Sequence, residues 1–168
     1  MQKPYLKIKR LRDDVILPSK RSEDAGYDIY TILDEPFLIL KPGEIHRMPT
    51  GLSFEIPQDW VFYVVERSST GMRGIAQRSG VLDSGFRGEL QVPLNNSSNK
   101  PIVFYKEEEK LDEFLEENNL NKEDIILYPL TKAIAQGMLL YCPHVDVEEV
   151  DNLSDSSRGA GAWGSSGK

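Results

Sequence analysis

The sequence contains very little of the residue types from which disulfide frameworks and metal sites are built. Cys142 is its single cysteine, so the chain can form neither a disulfide nor a thiolate zinc site by itself, as is typical of a protein in a reducing cytosol. Histidine occurs only as His46 and His144, and no HExxH, CxxC or G-x-S-x-G motif is present. These absences argue against the most recognisable zinc enzymes and serine hydrolases.

Long apolar runs and concentrated positive charge are absent too. No stretch approaches the roughly 18 apolar residues of a membrane helix, and residues 1–14 lack the apolar segment of a secretory signal. Residues 107–124 hold nine acidic residues and two lysines, which account for the formal net charge of −7. We therefore expect a cytoplasmic protein that binds neither membrane nor nucleic-acid polymer. A small anionic ligand stays possible, because it needs only a few hydrogen-bond donors.

The chain of 168 residues is long enough for one domain with a substantial core. Short apolar runs alternate with turn-forming segments, which is typical of an all-β sandwich or barrel. We predict a β-domain over 1–150 and a flexible C-terminal arm over 151–168. The predicted strands are 5–11, 37–40, 51–56, 60–66, 89–94, 101–105 and 124–128, and the predicted turns are 41–44, 48–51, 56–59 and 96–101.

Residues 107–119 interrupt this β pattern. Leu111, Phe114 and Leu115 follow helical spacing in a Glu-rich stretch, which predicts a short amphipathic helix within an insertion at about 97–130. The helix either covers a sheet edge and turns a solvated acidic face outward, or offers a docking surface to a basic protein partner. We favour the first interpretation.

Polar residues stand at the ends of several predicted strands. Asp28 follows a tight glycine-containing entry in AGYD, and it is either a ligand contact or a turn-capping residue. Arg67, Ser68 and Ser69 combine a guanidinium, two hydroxyls and turn N–H groups, which suits a phosphate. Standing alone, this would be an ordinary Ser/Gly turn.

Two further clusters and the tail add candidates. Asp83 follows an apolar strand and is a candidate base, and Phe86 offers a flat face to a sugar or base; the alternative is a β-hairpin with a capping Asp and a core Phe. Gln136 ends an apolar stretch and could be a plain surface residue. Trp163 lies in a glycine-rich arm, where a large aromatic usually has something to stack on.

Taken in order, five stretches resemble the five motifs of the trimeric dUTP pyrophosphatases (dUTPases). The order and approximate spacing hold from residue 24 to the C-terminus, so the set is specific although no single motif is. The resemblance implies an all-β, jelly-roll-like barrel and a homotrimer with three shared active sites, each closed by the arm of one subunit. The stretches are AGYD (25–28), RSS (67–69), GVLDSGFRGE (80–89), IAQ (134–136) and RGAGAWGSSG (158–167).

The resemblance also implies that dUTP and water give dUMP and pyrophosphate, which keeps uracil out of DNA and supplies dUMP for thymidylate synthesis. Asp83 would activate the water that attacks the α-phosphorus, and Asp28 would contact Mg²⁺ on the triphosphate through water. The implied phosphate contacts are Arg67, Ser68, Ser69 and Gln136, together with Arg158, Ser165 and Ser166 of the arm.

Uracil would be recognised by the hairpin at 80–92, largely through its backbone. Phe86 would lie against the deoxyribose, where a 2′-OH would clash, and Trp163 would stack over uracil. The remaining implied substrate contacts are Gln77, Val81, Leu82 and Gln91.

The chain departs from the family pattern at several positions. Gly85-Phe86 stands where the family usually has Asp-Tyr, Gln77 where Asn is common, and Trp163 where Phe is usual. Thr131-Lys132-Ala133 replaces the usual Gly-Asp-Arg, so a cation stands in place of a carboxylate and this network must be arranged differently. The acidic insertion resembles the extra segment of some phage-encoded dUTPases.

Two other functions stay open on the sequence. Deoxycytidine triphosphate deaminases share the fold and a similar third motif, but their proton-shuttling glutamate aligns with Pro93 here and they lack the arm. The second alternative is a regulatory module that binds a protein partner through the acidic insertion, with or without turnover.

Overall fold

A computed structural model describes residues 4–161, and eleven strands make up most of its regular structure. This confirms the all-β prediction. The strands are β1 (Lys7–Arg10), β2 (Tyr27–Ile29), β3 (Phe37–Leu40), β4 (Ile45–Glu55), β5 (Trp60–Val65), β6 (Ile75–Gln77), β7 (Val81–Leu82), β8 (Glu89–Asn96), β9 (Ile102–Tyr105), β10 (Ile126–Pro129) and β11 (Ala135–Tyr141). The helices are α1 (Ser68–Gly71), α2 (Leu111–Glu117) and the 3₁₀ turns Glu108–Lys110 and Lys122–Asp124.

The strands form three sheets around one apolar core. Their orders are β1-β4-β8-β6, β10-β9-β3 and β2-β11-β5-β7, and every pair is antiparallel except β9 with β10. The stacked rings of Phe54 in β4 and Phe62 in β5, 5.1 Å apart, join the first and third sheets. Ile102 and Phe104 of β9 enter the same core from the second sheet.

The insertion packs on the face of a sheet. Because side chains alternate along a strand, β9 turns Ile102 and Phe104 to the main core and Val103 to a second cluster with Leu111 and Leu115 of α2. The Phe114 ring stacks on Phe37 of β3 at 4.2 Å. The helix prediction is confirmed, but the idea that it covers a sheet edge is wrong, because β9 is the central strand.

The predicted turn at 48–51 is also wrong, because this segment lies inside β4. The pairing of β4 with β8 shifts between Pro49 and Ser53, and Gly51 has a φ of +65°, so the chain forms a bulge and continues as a strand. The Gly51 N–H donates to Glu89 Oε1 at 2.7 Å, which ties the bulge to β8. The Pro-Thr-Gly sequence therefore bends the strand without ending it.

Candidate active site

A one-turn helix presents Arg67, Ser68 and Ser69 at the end of β5. The buried Thr70 hydroxyl accepts the Arg67 N–H at 3.1 Å and donates to the Arg67 carbonyl at 2.8 Å. This reciprocal pair fixes the entry to α1, as in a capping box. The two serines are exposed on the wall of a groove, so their hydroxyls can reach a ligand.

The Arg67 guanidinium is held by strand β2 and by the loop between β10 and β11. Its Nε lies 2.9 Å from Asp28 Oδ1 and its Nη2 donates to Asp28 Oδ2 at 3.4 Å. Its Nη1 donates to the Ala133 carbonyl at 3.2 Å. The Arg67 side chain is still 29% exposed, and a guanidinium has five N–H donors. The pair therefore orients Arg67 and leaves it accessible to a ligand.

Gln136 lies directly opposite Asp28, because β11 pairs with β2 in that register. Its Nε2 donates to the Glu66 carbonyl at 2.8 Å. A Cβ at Gly26 would lie 2.5 Å from Gln136 Oε1 and 3.1 Å from Gln136 Cβ, so a larger residue here would require the Gln136 side chain to shift. The motifs AGYD, RSS and IAQ thus meet in one place.

These residues line what we call the Arg67 groove, which encloses about 710 Å³. Sequence reasoning missed its basic rim of Lys20 and Arg21, which stands three residues before the AGYD motif. The Lys20 ammonium donates to the Asp24 carbonyl and lies 5.4 Å from the centre of the Tyr27 ring. A basic pair close to the AGYD motif was the available signal. The lining residues are Ser19, Lys20, Arg21, Asp24, Ala25, Gly26, Asp28, Arg67, Ser68, Ser69, Gln136 and Met138.

Asp83 and Phe86 lie in a second, smaller groove of about 280 Å³, here the Asp83 groove. The predicted hairpin at 80–92 is wrong, because β7 pairs with β5 whereas β8 pairs with β4 and β6. The two arms belong to different sheets, and the groove opens between them. Its lining residues are Val64, Ser79, Gly80, Val81, Leu82, Asp83, Phe86, Glu89, Leu90 and Gln91.

Asp83 is exposed at the end of β7, where its carbonyl accepts the Phe86 N–H at 3.1 Å. Within residues 4–161, no hydrogen bond or ion pair is assigned to the Asp83 carboxylate. Phe86 is 41% exposed, so it is not the core residue that a simple hairpin would bury. A carboxylate and an open aromatic face therefore share this groove.

Glu89 is a second carboxylate of the Asp83 groove, and sequence reasoning missed it. Its Oε1 accepts the Gly51 N–H, and its Oε2 accepts from Gln91 Nε2 at 3.4 Å. Glu89 is engaged in holding the bulge of β4.

Val81 is exposed and Leu82 is buried, so along β7 they point in opposite directions.

Two other predicted contact residues, Gln77 and Arg158, are not among the lining residues of either groove. Gln77, in β6, donates its side-chain N–H to the Arg78 carbonyl at 2.6 Å. Arg158 is exposed and its Nε donates to the Gly161 carbonyl at 3.0 Å. Trp163, Ser165 and Ser166 lie outside the described residues.

The two grooves have no lining residue in common. The chain brings three of its motifs together in the Arg67 groove and puts the GVLDSGFRGE motif in the Asp83 groove. One chain therefore divides the residues that the family resemblance assigns to one substrate between two grooves.

The Arg67 groove fits magnesium carried by a ligand better than magnesium caged by protein. Among residues 4–161, no group of three or more His, Cys, Asp or Glu side chains could hold a metal ion. Asp28 has both oxygens at Arg67. Mg²⁺ commonly keeps several waters and binds one or two carboxylates plus substrate phosphates, and Asp28 and Asp24 can serve such an ion through water.

No helix in the described part of the chain is long and apolar enough to cross a membrane.

Comparison with known proteins identifies the family of this chain. The dUTPase family model matches residues 13–111. The deoxyuridine 5′-triphosphate nucleotidohydrolase of Nautilia profundicola is 32% identical, over 97% of this chain and 99% of that protein. The protein of the same name from Clostridioides difficile is 30% identical, over 96% and 97% of the two chains.

Solved structures show the same fold. The dUTPase of Staphylococcus bacteriophage 80alpha with dUpNHpp has a TM-score of 0.72 at 23% identity, covering 98% of this chain and 99% of that one. A mutant dUTPase of phage phi11, described with a structural Mg(II) ion, has a TM-score of 0.63 at 16% identity, covering 88% and 97%. On the family model and the relatives of 30% identity or more, this chain belongs to the dUTPase family.

Proposed function

We propose that this protein hydrolyses dUTP to dUMP and pyrophosphate in the cytoplasm, with Asp83 as the general base. One observation supports the role of Asp83 most: its carboxylate is exposed in a groove beside an open aromatic ring, whereas the other carboxylate of that groove is already bonded to backbone. Asp83 takes a proton from a water as the water oxygen attacks the α-phosphorus. The bond from that phosphorus to the bridging oxygen breaks, and pyrophosphate leaves.

The nucleoside end occupies the Asp83 groove in this proposal. The open edge of β7, and the part of β8 that lies before its pairing with β6, offer backbone groups to uracil, with Val81, Leu82 and Gln91 beside them. Phe86 packs against the deoxyribose. Gln77 is kept as a substrate contact only through the family resemblance, since it lies outside the groove.

The triphosphate occupies the Arg67 groove. Arg67, Ser68, Ser69 and Gln136 supply donors there, and Lys20 and Arg21 add positive charge at the rim. Mg²⁺ on the triphosphate would neutralise part of its charge, with Asp28 contacting the ion through water. Phosphoryl transfer depends mostly on such positioning and charge stabilisation.

A homotrimer would bring the two grooves together in one site. The placement of Asp83 and Arg67 in two different grooves of one chain supports a site in which one subunit presents the Asp83 groove and its neighbour presents the Arg67 groove. The arm at 151–168, with Arg158 and Trp163 among its residues and Ser165 and Ser166 near its end, would close the site from a third chain. The β-domain at 1–150 forms the body.

The test of this function is pyrophosphate release from dUTP, dTTP, dCTP and UTP, with light scattering on the same sample. We expect turnover of dUTP well above the other three and a trimer mass. A preference for dCTP with release of ammonia would instead support a deaminase. A monomer that turns over dUTP at full rate would contradict the shared site.

A further inference from the structure

The Ala133 carbonyl receives two donors at once. Arg67 Nη1 donates to it at 3.2 Å, and the Tyr128 hydroxyl donates at 2.6 Å. Ala133 is 2% exposed, so a long side chain at this position would have to displace its neighbours. This is the position at which the family resemblance leads one to expect an arginine.

Tyr128 is buried, and its hydroxyl is the polar end of a core residue. The side chain is 2% exposed and its ring lies 5.4 Å from that of Phe104. Burial raises the pKa of Tyr128, and the nearby Arg67 guanidinium opposes this only in part. The hydroxyl therefore stays protonated at neutral pH and acts as a donor.

The loop that carries Ala133 is tied at both ends. The Lys132 N–H donates to the Pro129 carbonyl at 3.0 Å, and the Ile134 N–H donates to the Ile29 carbonyl at 2.8 Å. Tyr128 adds a side-chain bond in the middle of this loop, from the preceding strand β10. The direction of the Ala133 carbonyl is thereby fixed, and with it one of the protein oxygens that orient Arg67.

We propose that Tyr128 is a positioning residue for Arg67, which it holds through the Ala133 carbonyl. Together with Asp28 it fixes the plane of the guanidinium. Each terminal nitrogen of Arg67 carries a second N–H, and these are the groups that a phosphate oxygen would meet in the Arg67 groove. The inference rests on the proposed function only in taking that groove as the triphosphate site.

The test compares Tyr128→Phe with wild type in the full-length protein. The change removes one oxygen and keeps the ring against Phe104, and the Ala133 carbonyl keeps Arg67 as a donor, so the fold is retained. Tyr105→Phe, on the neighbouring strand β9 and in the second cluster, is the matched control. Thermal unfolding and light scattering establish that all variants are folded and assembled alike.

The probe is Mg²⁺ with inorganic tripolyphosphate, titrated by calorimetry, so that the result does not depend on turnover. Loss of one ordering hydrogen bond predicts a rise of about three- to tenfold in Kd for Tyr128→Phe and none for Tyr105→Phe. For dUTP, KM rises by a similar factor, and the effect on kcat is smaller.

A double-mutant cycle with Arg67→Lys separates an effect that acts through the position of Arg67 from a general loss of order in the Arg67 groove. Lysine cannot present the planar fork, so in that background Tyr128→Phe should change Kd by less than about twofold. Three results would overturn the proposal: an equal rise in the Kd for tripolyphosphate in both backgrounds, no rise in either, or no binding of tripolyphosphate to wild type. If tripolyphosphate binding responds as expected while dUTP is not hydrolysed, the proposed function fails and the role of Tyr128 stands.

Discussion

Replacing Asp83 by Asn separates the chemistry of this protein from its stability. The two side chains have nearly the same shape, but the amide cannot take up a proton from water. The Asp83 carboxylate is exposed, and no hydrogen bond is assigned to it among residues 4–161. The substitution therefore removes the proposed base without breaking a contact that holds the fold.

The expected loss of rate is large. A positioned general base contributes about a hundred- to ten-thousandfold, which corresponds to about 2.7 to 5.5 kcal/mol of barrier. The free energy of unfolding should change by less than about 0.5 kcal/mol, as is usual at exposed positions. Binding of a non-hydrolysable dUTP analogue should remain close to that of wild type.

Glu89→Gln is the matched comparison within the same groove. The Glu89 carboxylate accepts the Gly51 N–H at 2.7 Å, so the change weakens a charge-assisted bond and should lower stability by about 1 kcal/mol. Its effect on kcat should be much smaller than that of Asp83→Asn. Pyrophosphate release under saturating dUTP gives kcat, and urea unfolding gives the stability of each variant.

Two results would refute this reasoning. If Asp83→Asn turned over within a few-fold of wild type, Asp83 would not be the base. If Glu89→Gln lost as much rate as Asp83→Asn at unchanged stability, the base would be Glu89, and the role of its bond to the β4 bulge would have to be revised.

Three further predictions concern assembly, the insertion and the arm. When inactive Asp83→Asn and Arg67→Ala proteins are refolded together in equal amounts, random mixing should restore about a quarter of the sites; activity that stays at background would place both residues in one chain's site. Leu115→Ala should lower the free energy of unfolding in urea by about 2–5 kcal/mol and leave KM for dUTP unchanged, whereas exposed Glu117→Ala should change neither quantity; a raised KM for Leu115→Ala would connect the insertion to the site. Trp163→Ala should weaken transition-state binding, measured as kcat/KM, by about 1–3 kcal/mol, and an unchanged kcat/KM would remove Trp163 from the site.

The sequence alone predicted many strands, the helix of the insertion and the family motifs, because each of these depends on residues that are close together in the chain. Alternating apolar runs and turn segments predicted strands such as β3, β5 and β9, since strand periodicity needs no distant information. The spacing of Leu111 and Leu115 predicted the helix of the insertion. The ordered motifs indicated the family, which the comparisons confirm.

Errors arose where a local signal had more than one structural outcome. Pro-Thr-Gly at 49–51 is turn chemistry, but the flanking residues pair with β8 and the segment becomes a bulge. Strand β11 was not predicted, because its apolar run follows a glutamine and a glycine and shows no clear alternation. Its central place in a sheet comes from pairing with β2 and β5, which are far away in sequence.

The sequence by itself determined which side chains are available for chemistry: Asp83, Arg67 and their neighbouring motif residues. Only the tertiary structure decided how they are grouped. Sheet register put Gln136 beside Asp28, and the splitting of residues 80–92 between two sheets opened a separate groove for Asp83. It also supplied Tyr128 and the Ala133 carbonyl as the support of Arg67. The physical reason is that hydrogen bonds between distant strands set these distances, and no pattern of adjacent residues encodes them.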